Sequence, residues 1–167
     1  MDAEHARQDA DAEQPEPASE KAAPKAEAEL TVFQLVQRMN VAEKVRFAFR
    51  ADKEGRTLLL KDTSKLVVLA VLNSPKITEQ EIEMVAKSRS ISEEILRVIA
   101  RKREWLGNYA IKLGLVGNPK TPIGIALTHL PSIKTRDLGF LGKDRGVPEA
   151  IRLAAQRLAR QRQEKGS

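Results

Sequence analysis

The spacing of large apolar residues from position 30 to position 160 predicts a helical domain. In "VAEKVRFAFRA" (41–51), apolar side chains recur every three or four residues and so share one helix face. The β-branched run "LVVLAVL" (66–72) could also form a strand. It has no partner strand and lies among helical patterns, so we predict a buried helix. The expected fold is all-α, a short right-handed stack of about eight helices.

Polar residues mark where several of these helices begin. Thr78, with Glu81 three positions later, predicts a capping box. Ser92 suits an N-cap because two glutamates follow it in the positive first turn, and this helix should continue through Leu106. The last helix should begin near Val147.

An internal repeat links the two halves of the helical region. "LVVLAVLNSPKIT" (66–78) aligns with "AIKLGLVGNPKTP" (110–122), at an offset of 44 residues. Further on, "KSRSISEEI" (87–95) aligns with "KDRGVPEAI" (143–151), at an offset of 56 residues. The change of offset predicts about 12 extra residues in the second unit, which we place at 131–142. Units of forty-odd residues that stack to cover each other's apolar faces are typical of helical-repeat proteins.

The proline corners and the repeat carry a resemblance to a known group. The corners in "LNSPKIT" and "REWLGNYAIKLGLVGNPKTP", with "DRGVPEAIRLAAQRL", resemble those of bacterial HEAT-like and variant leucine-rich repeat families. Residues 30–160 are similar to small helical-repeat proteins of delta-proteobacteria such as myxobacteria. The resemblance implies a HEAT-like solenoid with a scaffold role, and it brings no catalytic residues with it.

Charge divides the chain into an acidic arm and a basic domain. The whole chain has 29 basic and 23 acidic side chains, of which residues 1–29 hold three and nine. Residues 30–167 therefore hold 26 basic and 14 acidic side chains. Residues 1–28 have almost no large apolar side chain and cannot offset the entropy cost of ordering, so we expect a disordered arm. We place the helical domain at 29–162 and a disordered tail at 163–167.

Composition narrows the chemistry that the chain can perform. It has no cysteine, which excludes disulfides and thiolate metal sites, and its two histidines have no ligand-spaced partners. We expect neither a metal nor a cofactor. The sequence has no secretory signal and no run approaching the roughly 20 apolar residues of a membrane span. We therefore expect a cytoplasmic protein.

The stretch "GNPKTP" (117–122) raises the one specific enzymatic alternative. With Gly114 it approaches the phosphate-binding pattern G-x-x-x-x-G-K-[ST], but Pro119 stands where a glycine must donate its N–H. A helix-spaced run precedes it where the pattern needs a strand. We interpret it as a corner in which Thr121 caps the next helix and Pro122 takes its first position. The sequence thus favours a protein that is not an enzyme.

Basic residues around two related corners are the candidate binding surface. They precede or lie on the helices of the aligned segments, so stacked units could join them into a stripe. The six candidates are Lys87, Arg89, Arg97, Arg101, Lys143 and Arg145. The stripe could be a solvated face, a surface for a protein partner, or a phosphate-binding surface for nucleic acid.

The absence of a stacking platform weighs against nucleic acid. Trp105 and Tyr109, four residues apart, should instead pack together at a boundary between units. The favoured function is a regulatory adaptor or scaffold that binds a protein partner through its basic helical face, with the arm competing for that face. Nucleic-acid binding by the same residues is the alternative. Whether the partner belongs to a signalling, polarity or motility complex is open.

Overall fold

The computed structural model describes residues 30–165, which form eleven α-helices and one short 3₁₀-helix and contain no strand. The arm at 1–28 and residues 166–167 lie outside these described residues. The α-helices, numbered α1 to α11 in chain order, are Val32–Arg38, Val41–Ala48, Lys53–Leu59, Lys65–Leu72, Glu79–Lys87, Glu93–Arg101, Arg103–Leu106, Tyr109–Gly117, Ile123–His129, Thr135–Leu141 and Glu149–Lys165. The 3₁₀-helix is Leu130–Ser132. The prediction of an all-α fold is confirmed, and the helices exceed the expected eight.

Side-chain caps explain why several of these short helices begin where they do. Thr31, Asn40 and Thr78 each complete a capping box with the residue three positions later. The Thr78 box is the predicted one, in which Glu81 Oε2 accepts the N–H of Thr78 at 2.9 Å. Each box satisfies backbone donors that would otherwise lack partners at the helix start.

Two apolar runs could have formed either helices or strands, and both are helical. Run 66–72 lies within α4, where Val67, Val71 and Leu72 are buried. Its counterpart at 110–116 lies within α8. Neither helix has a broad polar face because most of their side chains pack against other helices, although Leu66 on α4 is exposed.

Two expectations about helix boundaries were wrong, and a third, the N-cap at Ser92, was confirmed in position but not in its side-chain bond. The helix that begins after Ser92 ends at Arg101, since Lys102 has an extended ψ of 103° and a separate turn, α7, follows. Ser92 occupies the N-cap position, but its hydroxyl makes no capping bond. Thr121 does not cap α9 either: Pro122 is the N-cap residue, and the Thr121 hydroxyl is buried without a partner.

The residues that the alignment treats as an insertion contain a helix of their own. Segment 131–142 contains the end of the 3₁₀-helix and the whole of α10. This helix packs on α11, which also contacts α9. The chain then stays helical to Lys165, so the ordered structure extends past residue 162, where the sequence placed its end.

Buried apolar side chains form two clusters that meet in α8. The first extends from Val36 to Leu115 and includes Trp105, while the second extends from Val116 to Ala159. Helices pack mostly on near neighbours in the chain, with α1 on α3, α2 on α4, α5 on α8 and α9 on α11. Within residues 30–165, none of the helices is both long and apolar enough to cross a membrane.

Candidate docking site at the basic corner

Two helix corners that carry four of the six predicted cations meet through Arg89 and Gly146. Lys87 ends α5 and Arg89 follows it, while Lys143 and Arg145 lie between α10 and α11. The guanidinium of Arg89 lies against the backbone of Gly146, so close that a Cβ there would collide with it. We call Lys87, Arg89, Lys143 and Arg145 the basic corner. Arg89 thus touches the loop that contains Lys143 and Arg145, more than fifty positions later in the chain.

The end of α5 is held in place by the corner that follows α8. Asn118 is buried, and its Nδ2 donates to the carbonyl oxygens of Ala86, at 2.8 Å, and Ser88, at 2.9 Å. These bonds satisfy carbonyls that the helix end leaves without partners. Close contact of the two helices is possible because Gly114 has no side chain, and a Cβ there would lie 3.3 Å from that of Ala86.

A small cavity of about 180 Å³ opens between these corners. Lys87 and Arg89 lie on one side of it, and Leu113 and the turn through Pro119 lie on the other. The cavity therefore has apolar walls and two cations at its rim.

The loop that carries Lys143 and Arg145 is fixed by Asp144. Its Oδ1 accepts the N–H of Gly146 at 2.7 Å, and its backbone carbonyl accepts the N–H of Val147 at 3.1 Å. Such a turn pre-orders the backbone without using the neighbouring cations. Both Lys143 and Arg145 are left exposed.

The charges of the basic corner are mostly not neutralised by the rest of the domain. Lys87 pairs with Glu83 one turn earlier, with 2.5 Å between Nζ and Oε1. Arg89, Lys143 and Arg145 make no ion pair with any carboxylate of residues 30–165. The basic corner thus offers three unpaired cations beside a partly paired lysine.

Arg97 and Arg101, the other two candidates, border a different cavity. It has a volume of about 440 Å³ and lies between α6 and α9, beside Ile125 and His129. Arg97 is paired with Glu93 on its own helix. Lys87 and Arg89 thus border one cavity, and Arg97 and Arg101 border another.

His129 lies at the edge of that second cavity without the partners of a catalytic base. Burial and the nearby charge of Lys112 both lower its pKa below the ordinary 6.5. No hydrogen bond joins it to a carboxylate within the described part of the chain. Nor do three or more His, Asp or Glu side chains of residues 30–165 gather where they could hold a metal ion.

The stretch "GNPKTP" is a corner between α8 and α9. The N–H of Lys120 donates to Asn118 Oδ1 at 3.0 Å, and that of Thr121 donates to the Asn118 carbonyl oxygen at 3.0 Å. Two backbone donors that a phosphate loop would aim at its ligand are therefore occupied within the turn.

Trp105 and Tyr109 do not form the predicted pair. Trp105 belongs to the first apolar cluster, and Lys102 Nζ lies 4.2 Å from the centre of its ring. Tyr109 packs on the second cluster and donates its hydroxyl to Asp137 Oδ2 at 2.5 Å. The break between α7 and α8 separates them.

A buried ion pair between Arg56 and Glu81 was not predicted from the sequence. Arg56 on α3 binds Glu81 on α5, with Nε to Oε1 at 2.9 Å and Nη2 to Oε2 at 3.1 Å. Arg56 also donates through Nη1 to the Ala51 carbonyl oxygen at 3.0 Å. The sequence accounted for Glu81 as a capping residue only. A signal was present, since Arg56 lies one turn before the buried Leu59 and so on the apolar side of α3.

Comparison of the chain with protein families, with curated proteins and with solved structures gives no match. The candidate site therefore depends on its own geometry and charge.

Proposed function

We propose that the protein is a non-enzymatic interaction module, an adaptor or scaffold in a bacterial cytoplasm, that binds an acidic segment of another protein at the basic corner. The contact between Arg89 and Gly146 carries this proposal, since it places Arg89 against the loop that contains Lys143 and Arg145. Three of those cations have no carboxylate partner within residues 30–165 and remain free to bind one supplied by a partner.

The cavity beside the basic corner adds a means of selecting the partner. A cavity of 150 Å³ can hold a benzene molecule, so about 180 Å³ with Leu113 on one wall can receive an apolar side chain. A segment with an apolar residue flanked by carboxylates would fill the cavity and meet the cations together. Apolar anchors that exclude water from charged contacts are typical of binding hot spots.

A helical-repeat arrangement would explain why two corners meet. Packing between helices that are close in sequence supports it. So does the way in which Asn118, from the corner of one unit, closes the end of α5 in the unit before. Each unit of such a stack contributes one corner to a common edge, on which a partner docks.

Carbodiimide crosslinking in the native cell tests the proposal, because the reagent joins a lysine directly to a carboxylate that touches it. Lys87 and Lys143 should join to an Asp or Glu of another protein. The double variant Lys143→Gln/Arg145→Gln should lose the link at Lys87. The matched variant Arg157→Gln/Arg160→Gln removes the same charge from exposed positions on α11 and should keep it. Survival of the link in the first variant, or no link at Lys87 and Lys143, would refute the proposal.

Nucleic acid is the competing ligand, and salt separates it from an acidic protein. Four cations bound to duplex phosphates would give a log–log slope of affinity against salt of about −3.6. Fluorescence anisotropy with a generic DNA duplex and a single-stranded RNA, at two salt concentrations, would reveal such binding. Tight binding with that slope, lost in the Lys143→Gln/Arg145→Gln variant, would replace the protein partner with nucleic acid.

A further inference from the structure

A groove between α1 and α2 is rich in arginine and lies next to the point where residues 1–29 join the domain. It has a volume of about 470 Å³. Its residues are Leu35, Arg38, Met39, Glu43, Arg46 and Arg50. Leu35 and Met39 give it an apolar floor, and the three arginines surround that floor.

The three arginines are not neutralised within the domain. None of them makes an ion pair with a carboxylate of residues 30–165. The single acidic residue of the groove, Glu43, is engaged elsewhere, because its Oε2 accepts the N–H of Asn40 in a capping box at 2.7 Å. The groove therefore has excess positive charge over an apolar surface.

The chain itself carries a segment of complementary charge. Residues 9–20, "DADAEQPEPASE", contain five carboxylates and no Lys or Arg. We call these residues the acidic segment. Eleven residues, 21–31, connect it to α1 and can reach at most about 40 Å. The far end of α1, at Arg38, is only about 9 Å along the helix from its start.

We infer that the acidic segment of the same molecule docks in the α1–α2 groove and occupies it. The connection is long enough to return along α1, and it is short enough to hold the segment at millimolar effective concentration. At that concentration a few carboxylate–arginine contacts suffice for occupancy, although each alone is weak. The groove is distinct from the basic corner, so this contact leaves the corner free for its partner.

Paramagnetic relaxation in the full-length protein tests this directly. The chain has no cysteine, so Ala12→Cys gives one position for a nitroxide label. Amide signals of Arg38, Met39 and Arg46 should lose intensity at low salt. They should recover at 1 M salt, where the screening length falls to about 3 Å from about 10 Å at 0.1 M.

Two variants with equal charge change locate the contact. Arg38→Gln/Arg46→Gln should abolish the intensity loss, and Arg157→Gln/Arg160→Gln should leave it unchanged. Circular dichroism confirms that each variant remains folded. The inference would be overturned if the intensity loss persisted in both variants or disappeared in both.

Other occupants give different outcomes, and each overturns the inference. Signal loss at Leu113 to Pro119 instead would place the segment at the basic corner, as the sequence analysis expected. In a second sample, nitroxide-labelled protein without ¹⁵N is mixed with ¹⁵N-labelled protein without nitroxide. Signal loss seen only in this mixture would show that the acidic segment binds the groove of another copy. No localised loss at low salt would show that the groove is empty or serves another protein.

Discussion

Arg56 and Glu81 form a two-bond ion pair between α3 and α5, with both side chains almost fully buried. Glu81 also closes the capping box at Thr78, so one carboxylate joins two helices and starts one of them. A buried charge is stable in the folded protein only while its partner is present.

Replacement of Arg56 by Met should destabilise the domain severely. The substitution leaves the carboxylate of Glu81 buried without a cation, which costs about 3–5 kcal/mol. Urea denaturation at pH 7 measures this loss. Lys65→Ala, which breaks the exposed pair with Glu94, is the control and should cost less than about 1 kcal/mol. Equal effects would show that the buried pair has no special role.

The same pair should make stability fall in acid. Burial raises the pKa of Glu81, but hydrogen bonds from Arg56 and Thr78 outweigh burial and bring the pKa below its ordinary 4.5. The folded state then holds the proton less tightly than the unfolded state. The stabilisation is therefore present above pH 4.5 and disappears as the pH falls through the lowered folded-state pKa.

Glu81→Gln should flatten this acid limb when the free energy of unfolding is measured between pH 7 and pH 3. Some slope should remain, because the pKa of Asp62 is also lowered. Burial raises this pKa, but the hydrogen bonds from Lys44 and Ser64 outweigh burial. An unchanged slope in the variant would contradict the assignment.

Replacement of each of two helical glycines by alanine should change the stability of the domain in opposite directions. At Gly114 a Cβ would lie 3.1 Å from Lys87 Cγ and 3.3 Å from Ala86 Cβ, so these side chains on α5 would have to shift by a few tenths of an ångström. Such overpacking costs about 1–3 kcal/mol, which should exceed the roughly 1 kcal/mol that alanine gains in a helix. At Gly124, on α9, a Cβ meets nothing within 4 Å, so alanine there should stabilise. Thermal unfolding of both variants checks this, and a higher midpoint for Gly114→Ala would refute the close contact.

The asparagines of the two proline corners, Asn73 and Asn118, should differ in importance. Asn118→Ala leaves two carbonyl oxygens at the end of α5 without their donor and should cost about 1–3 kcal/mol. Asn73 is exposed, and its side chain meets only Lys102 Nζ at 3.3 Å. Asn73→Ala should therefore stay within about 0.5 kcal/mol. Chemical denaturation of the two variants measures the difference. Equal losses of unfolding free energy would contradict the structural role of Asn118.

Periodicity predicted helices such as α2, whose apolar side chains recur on one face. The α4 and α8 runs were resolved as helices by their surroundings, and Thr78 with Glu81 marked a true start. Local signals were weaker where tertiary contacts decide the outcome. Thr121 fits a cap by residue type, yet its side chain is buried in the corner and Pro122 takes that position.

The candidate site was predicted only in part, for the same reason. The repeat alignment gave Lys87, Arg89, Lys143 and Arg145 equivalent positions, and the contact of Arg89 with Gly146 joins the two loops that carry them. It could not place Arg97 and Arg101, because which cavity they face depends on how α9 packs against α6. Partners distant in sequence, such as Arg56 and Glu81, have no periodic signature.

The division of the apolar core within α8 has a consequence for how the protein opens. Helices α9 to α11 are stabilised mainly by their own cluster, so they can detach as a sub-global unit while α1 to α6 stay folded. The basic corner spans that division, since Arg89 belongs to the first part and Gly146 to the second. A ligand bound there would join the two parts and so slow amide hydrogen exchange throughout α9, α10 and α11.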